Sequence, residues 1–244
     1  MVAKYCAVTS ENGETGADYE SGRKHEKNRI LTKDGKALKN YLAVDTSSSA
    51  LIVVAKKDGK VFSTYEPDCA MKHSVLLMDK IDETLKKASL SLAECDFFSA
   101  VVGAGSFTGI RIGVSAMKGF ALACNKPTLP VTSFACLEYN AIDGKVLCLI
   151  DALHDCYYVC GYEDGKESIP PSYVTEEEVL AWQKEGYILR ASTPLAIAKK
   201  TEVQTFDGAN GLCLAVEALS KQGAFGELNP LYIRKSSAEE NVCK

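Results

Sequence analysis

The stretch "GAGSFTGIRIG", from Gly103 to Gly113, restricts the fold of this chain more than any other. It places four glycines, a serine, a threonine and an arginine in eleven residues. The apolar run "FFSAVV" precedes it and "VSAMKGFALA" follows, which indicates a strand, a glycine loop and a helix. That geometry points backbone N–H groups and the positive end of a helix toward an anion. The glycines can equally serve tight turns and close packing, and both interpretations stay open.

The loop matches neither common phosphate-binding motif. No Gly-Lys-Ser/Thr follows, as a Walker loop requires, and no Gly-x-Gly-x-x-Gly opens the helix. Upstream, Asp45 ends an apolar strand and four hydroxyl residues follow. An acid there can hold Mg²⁺ through water in phosphotransferases, or it can simply be a turn residue or cap. The candidate nucleotide or phosphate contacts are Asp45, Thr46, Ser47, Gly103, Gly105, Ser106, Thr108 and Gly109.

The periodicity of the rest predicts an α/β protein. "YLAVD", "ALIVVAKKD" and "VFSTYE" form an antiparallel meander, and helices are expected over 74–88 and 109–126 with strands before and after the second. From Lys145 we expect the strands "KVLCLIDA", "CYYVCGYEDGKE" and "YILRA", a helix capped by Thr175 and Glu178, and a last helix in "NGLCLAVEALSKQG". This order predicts two lobes with mixed sheets.

Three segments follow from this pattern. Residues 1–40 are polar, charged and glycine-rich, and we expect them to be disordered or loosely attached. Residues 41–142 should form a first lobe that carries the glycine loop. Residues 143–244 should form a second lobe, with the last helix and tail able to pack back on the first.

Composition excludes several functional classes. The 244 residues carry a net charge of −4, which argues against a protein that grips nucleic acid alone. No apolar run approaches the about eighteen residues of a membrane span, and no signal core is present, so a cytoplasmic location is expected. The ten cysteines lack a Cys-x-x-Cys pair and are expected to be reduced core residues. The three histidines lack metal-ligand spacing, so no metal site is predicted.

The helix after the loop is apolar nearly all round. One stripe consists of Val114, Met117, Ala121 and Cys124, and a second, mostly small one consists of Gly113, Ala116, Phe120 and Ala123. Such a helix is buried on more than one side. The second side can face another chain or the chain's own helix 74–88, and the pattern does not decide between them.

Four blocks of sequence resemble the bacterial TsaB (YeaZ) family. They are "YLAVDTSSSALIVV", "HSVLLMDKIDETL", "VVGAGSFTGIRIGVSAMKGFALACNKPTLPVTSFACL" and "PLYIRKSSAEE", in that order. The resemblance implies a two-lobed actin-like ATPase (RNase H-like) fold. It also implies a non-catalytic, cytoplasmic subunit in the making of threonylcarbamoyladenosine next to the anticodon of tRNAs that read ANN codons.

The resemblance also implies partners. They are a TsaD-like catalytic subunit, a TsaE-like ATPase and, for the isolated chain, a second copy, with tRNA met only through the complex and no membrane. The chain needs no cofactor of its own, while ATP or ADP can lie at the partner interface. The resemblance further implies that the glycine loop is a remnant of a nucleotide site. The implied interface residues on the two helices are Leu77, Ile81, Arg111, Gly113, Ala116, Met117, Phe120 and Ala123.

Three positions depart from the family pattern. Ala104 and Met78 stand where proline is usual, and "DALHDC" stands where an Asp-x-Arg segment is usual. Two other functions remain as alternatives. A small-molecule kinase would need a second phosphate loop near Asp151, where neither glycines nor a lysine occur, and a peptidase would need a metal site or a nucleophile elbow.

Overall fold

A computed structural model describes residues 39–138 and 144–234. They form two five-stranded mixed sheets flanked by helices, which confirms the predicted α/β fold of two lobes with mixed sheets. Residues 1–40 are predicted to be disordered or loosely attached. Of these, only Lys39 and Asn40 lie within the described ranges. No helix in the described ranges is long and apolar enough to cross a membrane.

The first sheet has the strand order β3-β2-β1-β4-β5. The strands are β1 Tyr41–Asp45, β2 Leu51–Lys57, β3 Lys60–Glu66, β4 Phe97–Gly103 and β5 Thr128–Thr132. The first three pair antiparallel, as the meander pattern predicts, whereas β1, β4 and β5 pair parallel. Every residue of β1 and β4 is buried, because helices cover the middle of the sheet on both faces.

The second sheet has the order β10-β9-β6-β7-β8. Its strands are β6 Lys145–Asp151, β7 Cys156–Glu163, β8 Lys166–Thr175, β9 Ile188–Ala191 and β10 Gln204–Thr205. The predicted strand "CYYVCGYEDGKE" ends at Glu167, whereas β8 continues through Pro170 and Pro171 to Thr175. Proline is tolerated there because β8 lies at the sheet edge.

Five helices complete the fold. They are α1 His73–Lys87, α2 Phe107–Cys124, α3 Ser133–Glu138, α4 Glu176–Lys184 and α5 Gly208–Gln222. The predicted capping box of Thr175 and Glu178 is present at α4. Alternation along β1 divides the core, because Leu42 and Val44 face α1 and α2 while Tyr41 and Ala43 face α5. The last helix therefore packs on the first sheet, although it follows the second sheet in sequence.

The two sheets meet around α3, a short helix that the sequence analysis does not assign. Phe134 and Leu137 of α3 pack with Val146 and Cys148 of β6 and with Cys160 of β7. On the other side, α3 contacts α5. This junction fixes one side of a cleft between the lobes.

Candidate functional site

A cavity of about 590 Å³ lies between the two sheets. The ends of β1, β4 and β6 converge on it, so Asp45, the glycine loop after Gly103 and Asp151 come together. In open α/β sheets, ligands usually bind at the carboxyl ends of the strands. This cleft is therefore the candidate site.

The floor of the cleft is a small hydrogen-bonded network. Oδ1 of Asp45 accepts hydrogen bonds from the backbone N–H of Ser47 (2.8 Å) and from its hydroxyl (2.6 Å). The Ser133 hydroxyl donates to the carbonyl of Ala104 (2.6 Å) and lies 3.2 Å from the Ser47 oxygen. Burial raises the pKa of the Asp45 carboxyl, while the bonds from Ser47 and the nearby His73 act in the opposite direction.

The glycines of the loop are used for close packing against the β1–β2 turn. A Cβ at Gly105 would overlap the carbonyl oxygen of Ser47, and one at Gly109 would overlap that of Thr46. A Cβ at Gly113 would lie 2.5 Å from the Thr46 hydroxyl. The N–H of Ser106 is also bonded within the chain, because it donates to the Ser47 carbonyl (2.7 Å). Of the two interpretations that the sequence leaves open, the structure supports close packing.

The structure divides the eight candidate phosphate contacts into two groups. Those that line the cleft are Asp45, Ser47, Gly105, Ser106 and Thr108. The others, Thr46, Gly103 and Gly109, are buried beneath it. Ser47 and the Ser106 N–H are already bonded within the chain, and phosphate contact at the remaining cleft residues stays a prediction.

The second lobe supplies two more carboxylates, and each has a structural role. Asp151 accepts a hydrogen bond from the N–H of Leu153 (2.9 Å), and Asp207 caps α5 by accepting from Ala209 and Asn210. Asp207 and Ser133 are site residues that the sequence analysis missed. The signal for Asp207 was its position just before a helix. Nowhere in residues 39–138 and 144–234 do three or more His, Cys, Asp or Glu side chains stand where they could hold a metal ion.

Large apolar side chains are exposed on the outer surface of α1 and α2. Val75 and Met78 of α1 are 72% and 48% exposed, Leu122 of α2 is 85% exposed, and Met71 just before α1 is 96% exposed. Val75 and Met78 are three residues apart on α1 and share one face, and Met71 lies in the turn before the helix. We call this surface the partner face. None of these four residues is among the interface residues implied by the family resemblance.

Four of the implied interface residues do not reach the surface of this chain, and the implied set stays a prediction. Leu77, Ile81, Gly113 and Met117 are buried in the chain's own core, because α1 and α2 turn these positions toward the first sheet. Ala116 and Phe120 are half-buried at the edge of that core. Only Arg111 and Ala123 of the implied set are exposed.

An aromatic cluster joins the partner face to the mouth of the cleft. The ring of Phe107 stacks on that of Tyr232, with centroids 4.2 Å apart. The Arg111 guanidinium lies 3.9 Å from the Phe107 ring centroid, and its Nε donates to the Tyr232 hydroxyl (2.8 Å). Phe107 and Tyr232 both line the cleft. The cluster therefore fixes residues near the C-terminal end of the chain on the first turn of α2.

The sequence matches the family model of TsaD, tRNA N6-adenosine threonylcarbamoyltransferase, over residues 65–220. The Escherichia coli (strain K12) protein named tRNA threonylcarbamoyladenosine biosynthesis protein TsaB is 30% identical over 132 residues, 52% of this chain and 57% of that one. The Haemophilus influenzae protein of the same name is 29% identical over 123 residues, 48% of this chain and 51% of that one. The chain thus spans about half the length of the curated relatives it matches.

Solved structures agree with the fold. A Pseudomonas aeruginosa protein, described as having similarity to peptidase YEAZ, is 25% identical with a TM-score of 0.67. The match covers 80% of this chain and 100% of that one.

Proposed function

The chain belongs to the tRNA N6-adenosine threonylcarbamoyltransferase (TsaD) family and, within it, to the TsaB (YeaZ) group, and we propose that it acts there as the non-catalytic partner of a TsaD-like transferase. In this role it supports formation of threonylcarbamoyladenosine next to the anticodon of tRNAs that read ANN codons. It pairs with the transferase through the partner face.

The observation that carries this proposal is the exposure of apolar side chains on the partner face. Single exposed apolar residues are common, but three large ones on two adjoining helices, with Met71 just before the first helix, are typical of a protein interface. The charged side chains of α2 are the basic Arg111 and Lys118, whereas α1 carries both signs and pairs Asp82 with Lys86. A partner with a similar helix pair would bury the apolar side chains of this surface.

The cleft supports a non-catalytic role. Asp45, Ser47 and Ser133 are bonded within one network, while Asp151 and Asp207 accept from nearby backbone N–H groups. The loop glycines pack directly against main chain. Residues with these roles hold the first lobe together beneath α2. We infer that the packing around the cleft positions α2, which contacts the partner. We also infer that any ATP or ADP in the assembly would depend on groups that a partner supplies.

We further infer that a TsaE-like ATPase joins the assembly, that the isolated chain forms homodimers through the same face, and that the complex works in the cytoplasm. The net charge of −4 supports contact with tRNA through the complex rather than through this chain alone. No contact in the described residues favours the kinase or peptidase alternative.

Reconstitution tests the proposal. The full chain is mixed with the TsaD-like and TsaE-like proteins of the same genome, ATP, the other substrates and unmodified tRNA, and threonylcarbamoyladenosine is measured by mass spectrometry. We expect product only when this chain is present, and none from this chain alone. The proposal is wrong if the transferase forms product equally fast without it, or if this chain alone turns over.

A further inference from the structure

Residues 228–234 cross the mouth of the cleft from one lobe to the other. Leu228 is fully buried in the core between the first sheet and α1 and α2. The N–H of Leu231 donates to the carbonyl of Val102 at the end of β4 (2.7 Å). Ile233 packs with the α3, β6 and β7 cluster, and Arg234 reaches β8. We call residues 228–234 the strap. The main chain also crosses between the sheets after α3 and before α5, so the strap is a further connection between the lobes.

The strap is held firmly at its first-lobe end. The carbonyl oxygen of Leu231 sits directly on Gly103, where a Cβ would lie 2.5 Å from it. Tyr232 stacks on Phe107 and accepts the hydrogen bond from Arg111. Leu228 anchors this end in the core because it is fully buried, while Tyr232 is itself 39% exposed.

The second-lobe end is held by contacts that water can reach. Nη1 of Arg234 donates to the Tyr173 hydroxyl (3.1 Å), and the guanidinium lies 4.9 Å from the Tyr173 ring centroid. Tyr173 is 37% exposed and leans on Tyr158, with ring centroids 5.8 Å apart. Exposed cation–π and hydrogen-bond contacts of this kind are weak at either end. The ends differ because Ile233 is only partly buried whereas Leu228 is fully buried, so the second-lobe end should release before the other.

We propose that residues 228–234 form a latch that keeps the cleft closed, and that the contact between Arg234 and Tyr173 is its releasable end. When that contact breaks, the second sheet moves away from the first while Leu228 to Tyr232 stay in place. The latch is built into this chain and does not depend on the proposed function. Because Arg111 of α2 holds Tyr232, the latch also touches the helix that carries the partner face.

Cys136 provides a reporter of cleft opening. It lies on α3, lines the cleft and is buried, and burial raises the pKa of its thiol well above the usual range. An alkylating reagent should therefore reach it mainly when the cleft opens. Cys95 and Cys213 are buried within the first lobe on opposite sides of its sheet, and their labelling reports unfolding of that lobe.

The experiment compares labelling rates in the full chain by peptide mass spectrometry. Arg234→Ala should label Cys136 about fivefold faster, which corresponds to about 1 kcal/mol. Tyr173→Phe, which keeps the ring and removes the hydroxyl, should give a smaller increase. Lys199→Ala, which changes an exposed cation elsewhere in the second lobe, should give none. Labelling of Cys95 and Cys213 should not change in any variant.

Two results would overturn the latch. One is an unchanged Cys136 rate in both Arg234→Ala and Tyr173→Phe. The other is an equal acceleration of Cys136, Cys95 and Cys213, since that would show that Arg234 supports the whole fold and not the closed cleft. If Arg234→Ala does not fold, the proposal is tested by the Cys136 labelling rate of Tyr173→Phe compared with that of wild type.

Discussion

Gly109 of α2 lies directly against the carbonyl oxygen of Thr46, and the Thr46 hydroxyl donates a hydrogen bond back to the Gly109 carbonyl (2.7 Å). This reciprocal contact joins the start of α2 to the β1–β2 turn. It explains why a sequence rich in glycine and hydroxyl residues can look like a phosphate loop and yet serve packing. The position of α2, and with it the partner face, depends on this contact.

Replacing Gly109 by alanine should destabilise the chain. The added Cβ would push Thr46 and the turn away from α2, and overpacking of this kind typically costs about 1–3 kcal/mol. We expect thermal unfolding to shift down by several degrees. Gly119→Ala is the matched control in the same helix, because no atom lies within 4 Å of its added Cβ.

Gly119→Ala should instead raise the free energy of unfolding. Gly119 is exposed in the interior of α2, where alanine is favoured over glycine by up to about 1 kcal/mol. A Gly109→Ala variant as stable as Gly119→Ala would show that the loop does not depend on close packing with Thr46.

Asp45→Asn should stabilise the isolated chain at neutral pH. Burial raises the pKa of Asp45, so the folded state binds a proton more readily than the unfolded state, and the charged carboxylate opposes folding as pH rises. The gain in the free energy of unfolding should shrink as pH falls toward the reference value of 3.8 and vanish below it.

Chemical denaturation of both proteins across this pH range measures the effect, with the exposed Asp79→Asn as control. A gain that grows toward acid pH would contradict the assignment. Activity is a separate readout, because a metal-dependent reaction in this chain would be lost with Asp45 while a supporting role would persist.

The buried thiols should resist alkylation in the native protein. Burial raises the pKa of Cys95 and of Cys213 to about 12 and that of Cys160 to about 11. Little thiolate is present near pH 7.5, so we expect these three to react at least about a hundredfold more slowly than the half-buried Cys124 and Cys156. Peptide mapping after a timed reaction measures this. Fast native labelling of Cys95 would contradict its burial in the core of the first lobe.

The strands and long helices could be predicted because their patterns are local. Alternation fixes the meander, and Ser106, Asn125 and Asp207 provide capping residues at helix ends. The helix α3 has only six residues and too little periodicity to be recognised.

The contact residues could not be predicted because they depend on tertiary structure. Val75, Leu77 and Met78 are neighbouring apolar residues of one helix, and only the position of the first sheet decides that Leu77 faces inward. The sequence of the glycine loop likewise suits contact with either an anion or a backbone carbonyl. The β1–β2 turn, more than sixty positions upstream of Gly109, packs against the loop and provides the carbonyl.

Binding of the TsaD-like partner tests the central claim most directly. We would measure its affinity by titration calorimetry for wild type, for Leu122→Asp on the partner face and for Leu153→Asp, a matched exposed leucine of the second lobe. Loss of an apolar anchor at an interface costs about 2 kcal/mol or more, so Leu122→Asp should weaken binding by about thirtyfold at unchanged melting temperature, and Leu153→Asp should bind like wild type. Equal affinity of wild type and Leu122→Asp, or a loss confined to Leu153→Asp, would contradict pairing through α1 and α2.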